Sequence, residues 1–165
     1  EQILLLPVLG LNTAIISIIG QNFGAKHFER INQSYYLAII YGFIVMIVAG
    51  IIIFLSADKI VGLFTNNAMV INYGTIYLKI SALIFPTYPI FFISNGFFMA
   101  IKKSHFSMFL NFIRNVLLLV PTIIFANFIG GTFKTFFWSY CLFNWIFVIS
   151  LLIFVTFYIK KYLQS

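Results

Sequence analysis

Charged side chains, and acidic ones above all, are scarce in this sequence. Only 8% of its 165 residues are charged, and three are acidic, whereas an average soluble domain carries about 25% charged residues. A water-soluble globule needs more polar surface than this, so the composition excludes that class. Glu1, Glu29 and Asp58 all lie outside the long apolar runs. No predicted membrane helix therefore carries a carboxylate, which is the usual cation-binding group in such helices.

Patterns typical of enzymes and metal sites are also absent. The one cysteine, Cys141, lies in an apolar run and can form no internal disulfide. The sequence contains no H-E-x-x-H, G-x-S-x-G or P-loop motif. Neither His27 nor His105 has an acidic partner in a helix. We therefore predict no enzyme activity, no catalytic residue, no metal site and no cofactor.

Long apolar runs make up most of the chain, which is 62% hydrophobic. Runs of about 20 residues match a hydrocarbon core of about 30 Å, and helices satisfy their own backbone groups in lipid. The sequence thus predicts an all-α polytopic membrane helix bundle. Its five transmembrane helices would cover about residues 3–20, 33–55, 70–101, 106–129 and 133–158. We also expect a short interfacial helix within 56–67, and hinge residues at Pro86 and Pro89, because proline removes a backbone donor.

The basic residues predict the orientation in the membrane. The net charge of +7 comes from small groups at the ends of apolar runs, so we expect no nucleic-acid partner. Six lysines and arginines fall at 26–30, 102–103 and 160–161, whereas the opposite connections hold Lys59 and Lys134. By the positive-inside rule, the first group is cytoplasmic. The chain is therefore expected in the plasma (inner) membrane as a multi-pass protein with a cytoplasmic C-terminus.

Two cations lie within apolar runs. Counting back about 20 residues from Lys102 leaves Lys79 near the outer interface, where we expect a structural role. Arg114 lies about eight residues into the fourth span, or about 12 Å by helix rise. It either extends back to the inner interface or faces the bundle. In the second case it would pair with carbonyls, with Asn111 or with Asn115.

Polar and aromatic side chains share one face of the proline-containing span. Their spacing predicts an amphipathic wall suited to an apolar or organic-cation ligand. An ordinary helix–helix contact explains the same pattern equally well. The residues on this face are Thr87, Phe91, Ser94 and Asn95.

A short polar turn carries a family resemblance. The string I-I-S-I-I-G-Q-N-F-G-A-K-H-F-E-R, which ends at Arg30, resembles the loop after the second helix of a lobe in multidrug and toxin extrusion (MATE) transporters, especially the DinF-like branch. The run N-G-F-F-M-A-I-K at 95–102, with Arg114 and Pro121, is similar to a pattern in the carboxy-terminal lobe of that family. Any tight turn would favour Gly and Asn as well, because both tolerate positive φ. The motif residues are Gly20, Gln21, Asn22, Gly24 and Ala25.

The resemblance implies a role for the whole chain. Residues 1–165 would be part of the C-terminal six-helix lobe of a twelve-helix carrier, with the missing N-terminal lobe and membrane lipid as partners. That carrier would be a secondary active antiporter for small organic or cationic substrates and drugs. It would exchange them for H⁺ or Na⁺, and the coupling ion would bind elsewhere. Our hypothesis for the substrate-contacting residues is Asn12, Thr87, Tyr88 and Asn95.

Two alternatives remain open at this point. A lipid-linked oligosaccharide flippase of the same superfamily should show more cavity-facing cations, and Arg114 is the one candidate. A small structural or auxiliary membrane protein would be complete with five helices. Reading the coding sequence upstream of Glu1 separates these, because a carrier should show about seven further helices, the number that completes a twelve-helix fold with spans of about 20 residues.

Overall fold

The computed structural model describes residues 2–162, and within that range it is helical with no strand. Four helices are long and apolar enough to cross a membrane, or up to five if one bent pair counts as a single span. This confirms the all-α membrane bundle predicted from composition. The elements are α1 (Gln2–Gly24), α2 (Phe28–Gly62), α3 (Ala68–Ile84), α4 (Thr87–Ala100), α5 (Ser104–Phe112), a π-helical turn (Ile113–Leu117), α6 (Leu119–Ile129) and α7 (Phe133–Tyr162).

The first helix extends past its predicted end at residue 20, so the turn between α1 and α2 follows Gly24. Helix α1 continues through the motif to Gly24, and Lys26 takes the left-handed conformation with a φ of 57°. The N–H of His27 donates to the Asn22 carbonyl at 2.9 Å, and the N–H of Lys26 donates to the Phe23 carbonyl at 3.2 Å. These two bonds are a Schellman motif. Positive φ therefore falls on a lysine and not on the glycines or the asparagine of the motif, which tolerate it best.

The second span is longer than the sequence predicted. Helix α2 runs unbroken from Phe28 to Gly62, so the separate interfacial helix expected within 56–67 is wrong. The apolar pattern continues through Ile60 and Val61 with no breaker before Gly62, which explains the difference. Its 35 residues extend about 52 Å at 1.5 Å each. Because this exceeds a core of about 30 Å, the ends of α2 project beyond the hydrocarbon.

The largest apolar cluster lies where α1, α2, α4 and α7 meet, and aromatic rings form much of it. Phe97 and Phe98 are fully buried. The Phe97 ring centroid lies 5.5 Å from that of Tyr35, and the Phe98 centroid lies 5.7 Å from that of Tyr158, both edge to face. This geometry is favourable for aromatic pairs. The cluster fixes α4 against its neighbours beyond the proline region.

Two of the predicted spans are interrupted. The third span divides into α3 and α4, which bend by 47° at Phe85 and Pro86. The fourth span contains the π-helical turn, which the sequence analysis did not predict. There the N–H of Leu118 donates to the Ile113 carbonyl at 2.9 Å, five residues back. Pro121 follows in the first turn of α6, where its missing N–H costs no helical bond.

Candidate functional site

The backbone opens between α3 and α4, in the middle of the third span. Pro86 and Pro89 have no N–H, so the carbonyls of Ala82 and Phe85 lose their helical donors. The Phe85 carbonyl accepts instead from the N–H of Tyr88 at 3.1 Å. An opened backbone at this depth must be satisfied by protein groups, and the neighbouring helices supply them.

Side chains around the opening take up two more carbonyls. The Thr87 hydroxyl donates to the Ile84 carbonyl at 2.7 Å, and the Trp145 indole N–H donates to the Leu83 carbonyl at 3.1 Å. Trp145 comes from α7, so this bond ties α7 to the end of α3. Of these two carbonyls beside the opening, one is thus bonded by a threonine of the same span and the other by a tryptophan of α7.

Asn144 supplies a second link from α7. The atom placed as its amide oxygen lies 2.9 Å from the Thr87 hydroxyl, and its Nδ2 has no hydrogen-bond partner in the described residues. A hydroxyl has one proton, and the short bond to the Ile84 carbonyl uses it. Rotating the Asn144 amide lets Nδ2 donate to Thr87. Both residues are fully buried, so this bond forms away from solvent.

Two glycines of α2 let that helix approach the opening closely. A Cβ at Gly50 would lie 2.8 Å from the Ala82 carbonyl oxygen, and one at Gly42 would lie 2.7 Å from the Cβ of Pro89. Both distances are too short for a real side chain. Small residues allow such backbone contact in membrane bundles. The carbonyl of Ala82 that Pro86 leaves without a helical donor therefore rests against the α-carbon side of Gly50.

Further along α4, two polar residues bond to different helices. The Ser94 hydroxyl and the Tyr35 hydroxyl on α2 lie 2.8 Å apart. The Asn95 amide oxygen accepts hydrogen bonds from the Ser107 hydroxyl and from Nδ2 of Asn111, the latter at 3.2 Å. Thr87 points to α7 in the same way. The polar face identified in the sequence thus makes helix–helix contacts to three neighbours, which is the second of the two interpretations left open.

Asn12 lies at the contact between α1 and α4. Its Oδ1 occupies the space that a Cβ would take at Gly96, and within the described part of the chain that oxygen accepts no hydrogen bond. The remainder of Asn12 is partly exposed, as is Tyr88. Of the four residues predicted to contact substrate, these two retain accessible surface, whereas Thr87 and Asn95 are buried.

Arg114 faces the bundle from the π-helical turn. Its guanidinium carbon lies 4.1 Å from the ring centroid of Phe91, 4.9 Å from that of Tyr88 and 5.6 Å from that of Phe92. This is a cation–π arrangement with three rings. No hydrogen bond from Arg114 to Asn111 or Asn115 forms in the described residues, and Nδ2 of Asn111 donates to Asn95 and to the Ser107 carbonyl. The sequence signal that could have predicted this contact was the helical spacing of the aromatic residues on α4.

The family motif lies at the end of α1, away from the residues around the α3–α4 opening. There Gly20 faces the end of α4, since a Cβ at this position would meet the Ala100 carbonyl oxygen at 3.8 Å. The described acids, Glu29 and Asp58, lie toward the two ends of α2. Residues 2–162 contain no group of three or more His, Cys, Asp or Glu side chains that could hold a metal ion.

Comparison with known proteins gives a family match and a fold match. The MatE family model matches residues 1–125. An outward-facing multidrug resistance MATE family transporter of the MOP superfamily superposes with a TM-score of 0.90 at 20% identity. A MATE protein in complex with MaL6 gives 0.87 at 18%. A MOP superfamily transporter from Pyrococcus furiosus, described with a binding pocket of reverse polarity, gives 0.86 at 21%.

These structural matches cover 99% of this chain. In the other direction the chain spans only 36% to 37% of the length of those transporters. A comparison with curated proteins gave no match.

Proposed function

Because this chain belongs to the MatE family, whose members are membrane transporters and not enzymes, we propose that it is part of a secondary active antiporter. The antiporter exports drugs or organic cations in exchange for H⁺ or Na⁺. The chain spans about a third of its structural relatives, which supports a role as part of the C-terminal lobe. An N-terminal lobe of the same carrier would be its partner, in the plasma membrane and with the C-terminus of this chain cytoplasmic.

The observation that carries this proposal is the opened backbone between α3 and α4. Transporters commonly place substrate sites where spanning helices are discontinuous near the middle of the membrane. Here Tyr88 keeps accessible surface beside the opening, and Asn12 keeps it further along α4, against Gly96, so we assign them direct contact with substrate. Thr87 and Asn95 would shape the same wall through their hydrogen bonds, and Pro86 with Pro89 would form the hinge.

The coupling ion is proposed to bind outside these spans. Glu29 lies in the first turn of α2 and Asp58 near its last turn, so the described spans supply no carboxylate at mid-membrane depth. Membrane helices usually bind cations through carboxylates. This arrangement is the one that the DinF-like resemblance implies, with the coupling acids in the other lobe.

Drug export by the carrier that contains this chain tests the substrate path. Replacing either Tyr88 or Asn12 by Ala should lower resistance to at least one exported drug about tenfold, because losing one contact of about 1.4 kcal/mol is a factor of ten. Thr13→Ala is the matched control, because its exposed hydroxyl bonds only to the Leu9 carbonyl in its own helix, at 3.0 Å. Unchanged resistance across several drugs, at equal membrane levels, would refute the assignment.

Arg114 favours a second candidate function. A lipid-linked oligosaccharide flippase needs cations to bind pyrophosphate, and Arg114 faces the bundle instead of the interface. The two functions predict opposite effects of Arg114→Gln. An organic cation is repelled less by the neutral side chain, so drug export should persist or rise. Transport of a lipid pyrophosphate should instead be lost, because its charge-assisted partner is removed.

A further inference from the structure

Two neighbouring cavities between α2, α3 and α7 form one groove next to the α3–α4 opening. The cavities measure about 430 and 390 Å³, and Phe54 and Leu83 line both of them. The larger one is apolar, and its deep end is marked by Phe43 of α2 and Trp145 of α7. Between Phe54 and Phe43 the helix advances about 16 Å. The groove is therefore long, and it borders the α3–α4 opening through Leu83 and Pro86.

Two lysines lie at the opposite end of the groove. Lys79 and Lys134 both line the smaller cavity, together with Trp138. Lys79 is half-buried, and its Nζ lies 5.7 Å from the centroid of the Phe54 ring. Neither lysine forms an ion pair with a carboxylate in residues 2–162. Two like charges beside an apolar wall repel each other, and an anion between them would remove that repulsion.

We propose that this groove binds an anionic phospholipid. The phosphate lies between Lys79 and Lys134, and one acyl chain follows the apolar wall toward Trp145. Charge complementarity selects this ligand, because a protein helix would have to bring a carboxylate into the membrane, which is costly and rare. Trp138 beside the lysines also fits headgroup depth, where tryptophan is enriched. The site does not depend on the transport function proposed above.

The two tryptophans of the chain give a direct readout. Trp138 and Trp145 are its only tryptophans, and both line the groove. The carrier that contains this chain, with tryptophan kept at these two positions alone, is reconstituted in phosphatidylcholine vesicles that contain either brominated phosphatidylglycerol or brominated phosphatidylcholine. Bromine quenches indole fluorescence on contact. With about 1 kcal/mol for each of the two lysines near an anionic surface, brominated phosphatidylglycerol should reach half-maximal quenching at a roughly 30-fold lower mole fraction.

Charge-matched variants make the test specific. Lys79→Gln with Lys134→Gln should remove the preference for phosphatidylglycerol. Lys102→Gln with Lys103→Gln removes the same charge from the connection between α4 and α5 and should leave the preference unchanged. Equal quenching by both lipids in the unaltered chain would overturn the proposal. A preference that survives the Lys79 and Lys134 changes would overturn it too.

A second pair of measurements covers the case of misfolding. If circular dichroism shows that the double variant has lost helix, Lys134→Gln alone is used, because Lys134 is exposed and its replacement disturbs no packing. It should reduce the preference about fivefold, since one of the two lysine charges is removed. No reduction would again overturn the proposal. Inorganic phosphate at millimolar concentration should not restore fluorescence, whereas full restoration would show that no acyl chain is held.

Discussion

The two interrupted spans satisfy their backbones in different ways. At the α3–α4 opening, proline removes donors and the helical bonding pattern breaks, and the indole of Trp145 on α7 donates to the carbonyl of Leu83 beside the break. In the π-helical turn, Leu118 bonds to Ile113 at 2.9 Å, and the Thr122 hydroxyl bonds to the Leu118 carbonyl at 2.7 Å. The first interruption needs its neighbours, whereas the second closes on itself. An opened membrane helix is therefore a tertiary feature, and a π-helical turn is a local one.

The π-helical turn nevertheless affects the other interruption through one side chain. One extra residue in a helical turn rotates the residues around it to a new face. Here Arg114 reaches Phe91 and Tyr88 in the first turns of α4, just after the opening. Through this contact, the π-helical turn of the fourth span supports the opening in the third span. This contact is the central claim of our account.

The largest effect is expected from closing the space between α2 and the opening. Gly50→Ala would place a Cβ 2.8 Å from the Ala82 carbonyl oxygen, which is backbone and cannot rotate away. Helix propensity favours alanine over glycine, but overpacking a closed contact costs about 1–3 kcal/mol. The measurement is the free energy of unfolding in mixed micelles. Gly10→Ala on α1 is the control, since a Cβ there meets nothing within 4 Å. Equal stability of the two variants would show that the opening does not need α2.

A smaller effect on the free energy of unfolding is expected when the threonine at each interruption is replaced, and it should differ between the two. Thr87→Val removes the hydroxyl that bonds to Ile84 and to Asn144 of α7, and should destabilise the chain by about 1 kcal/mol. Thr122→Val removes a hydroxyl that bonds to the Leu118 carbonyl in its own span. Such back-bonding contributes little to a helix, so we expect a clearly smaller loss. The comparison fails if Thr122→Val costs as much as Thr87→Val.

The smallest effect concerns the indole bond from α7. Trp145→Phe keeps an aromatic ring but removes the donor to the Leu83 carbonyl, whose N–H···O distance is 3.1 Å. Hydrogen bonds between membrane helices average about 0.6 kcal/mol, and the loss in unfolding free energy should be of that size. Trp138→Phe is the control on the same helix, and it should change stability less. An equal loss in both variants would mean that ring size, and not the bond, is responsible.

The sequence predicted the first interruption and missed the second for a physical reason. Pro86 and Pro89 are visible in the sequence, and each lacks a backbone N–H donor. The π-helical turn results from a shift in hydrogen bonding by one residue, and no side chain is specific for that shift. Pro121 was an indirect signal, because a helix has to restart before a proline in its first turn.

The candidate site could be predicted only in part. The helical spacing of Thr87 and Asn95 was visible, but their partners were not. Thr87 meets Asn144, which lies 57 residues away in the sequence. Periodicity describes one helix at a time and cannot identify the helix that packs against it. The family resemblance, confirmed by the MatE match over residues 1–125, supplied the fold but not these contacts.

A double-mutant cycle between Arg114 and Phe91 tests the central claim most directly. Arg114→Gln and Phe91→Leu are made singly and together, and the free energy of unfolding is measured for each variant. The distance of 4.1 Å between guanidinium carbon and ring centroid predicts a favourable coupling energy of about 1 kcal/mol. Lys79→Gln with Phe91→Leu, a pair on different parts of the span, should be additive. Additive effects for Arg114 and Phe91 would contradict the account, because the two interruptions would then be independent.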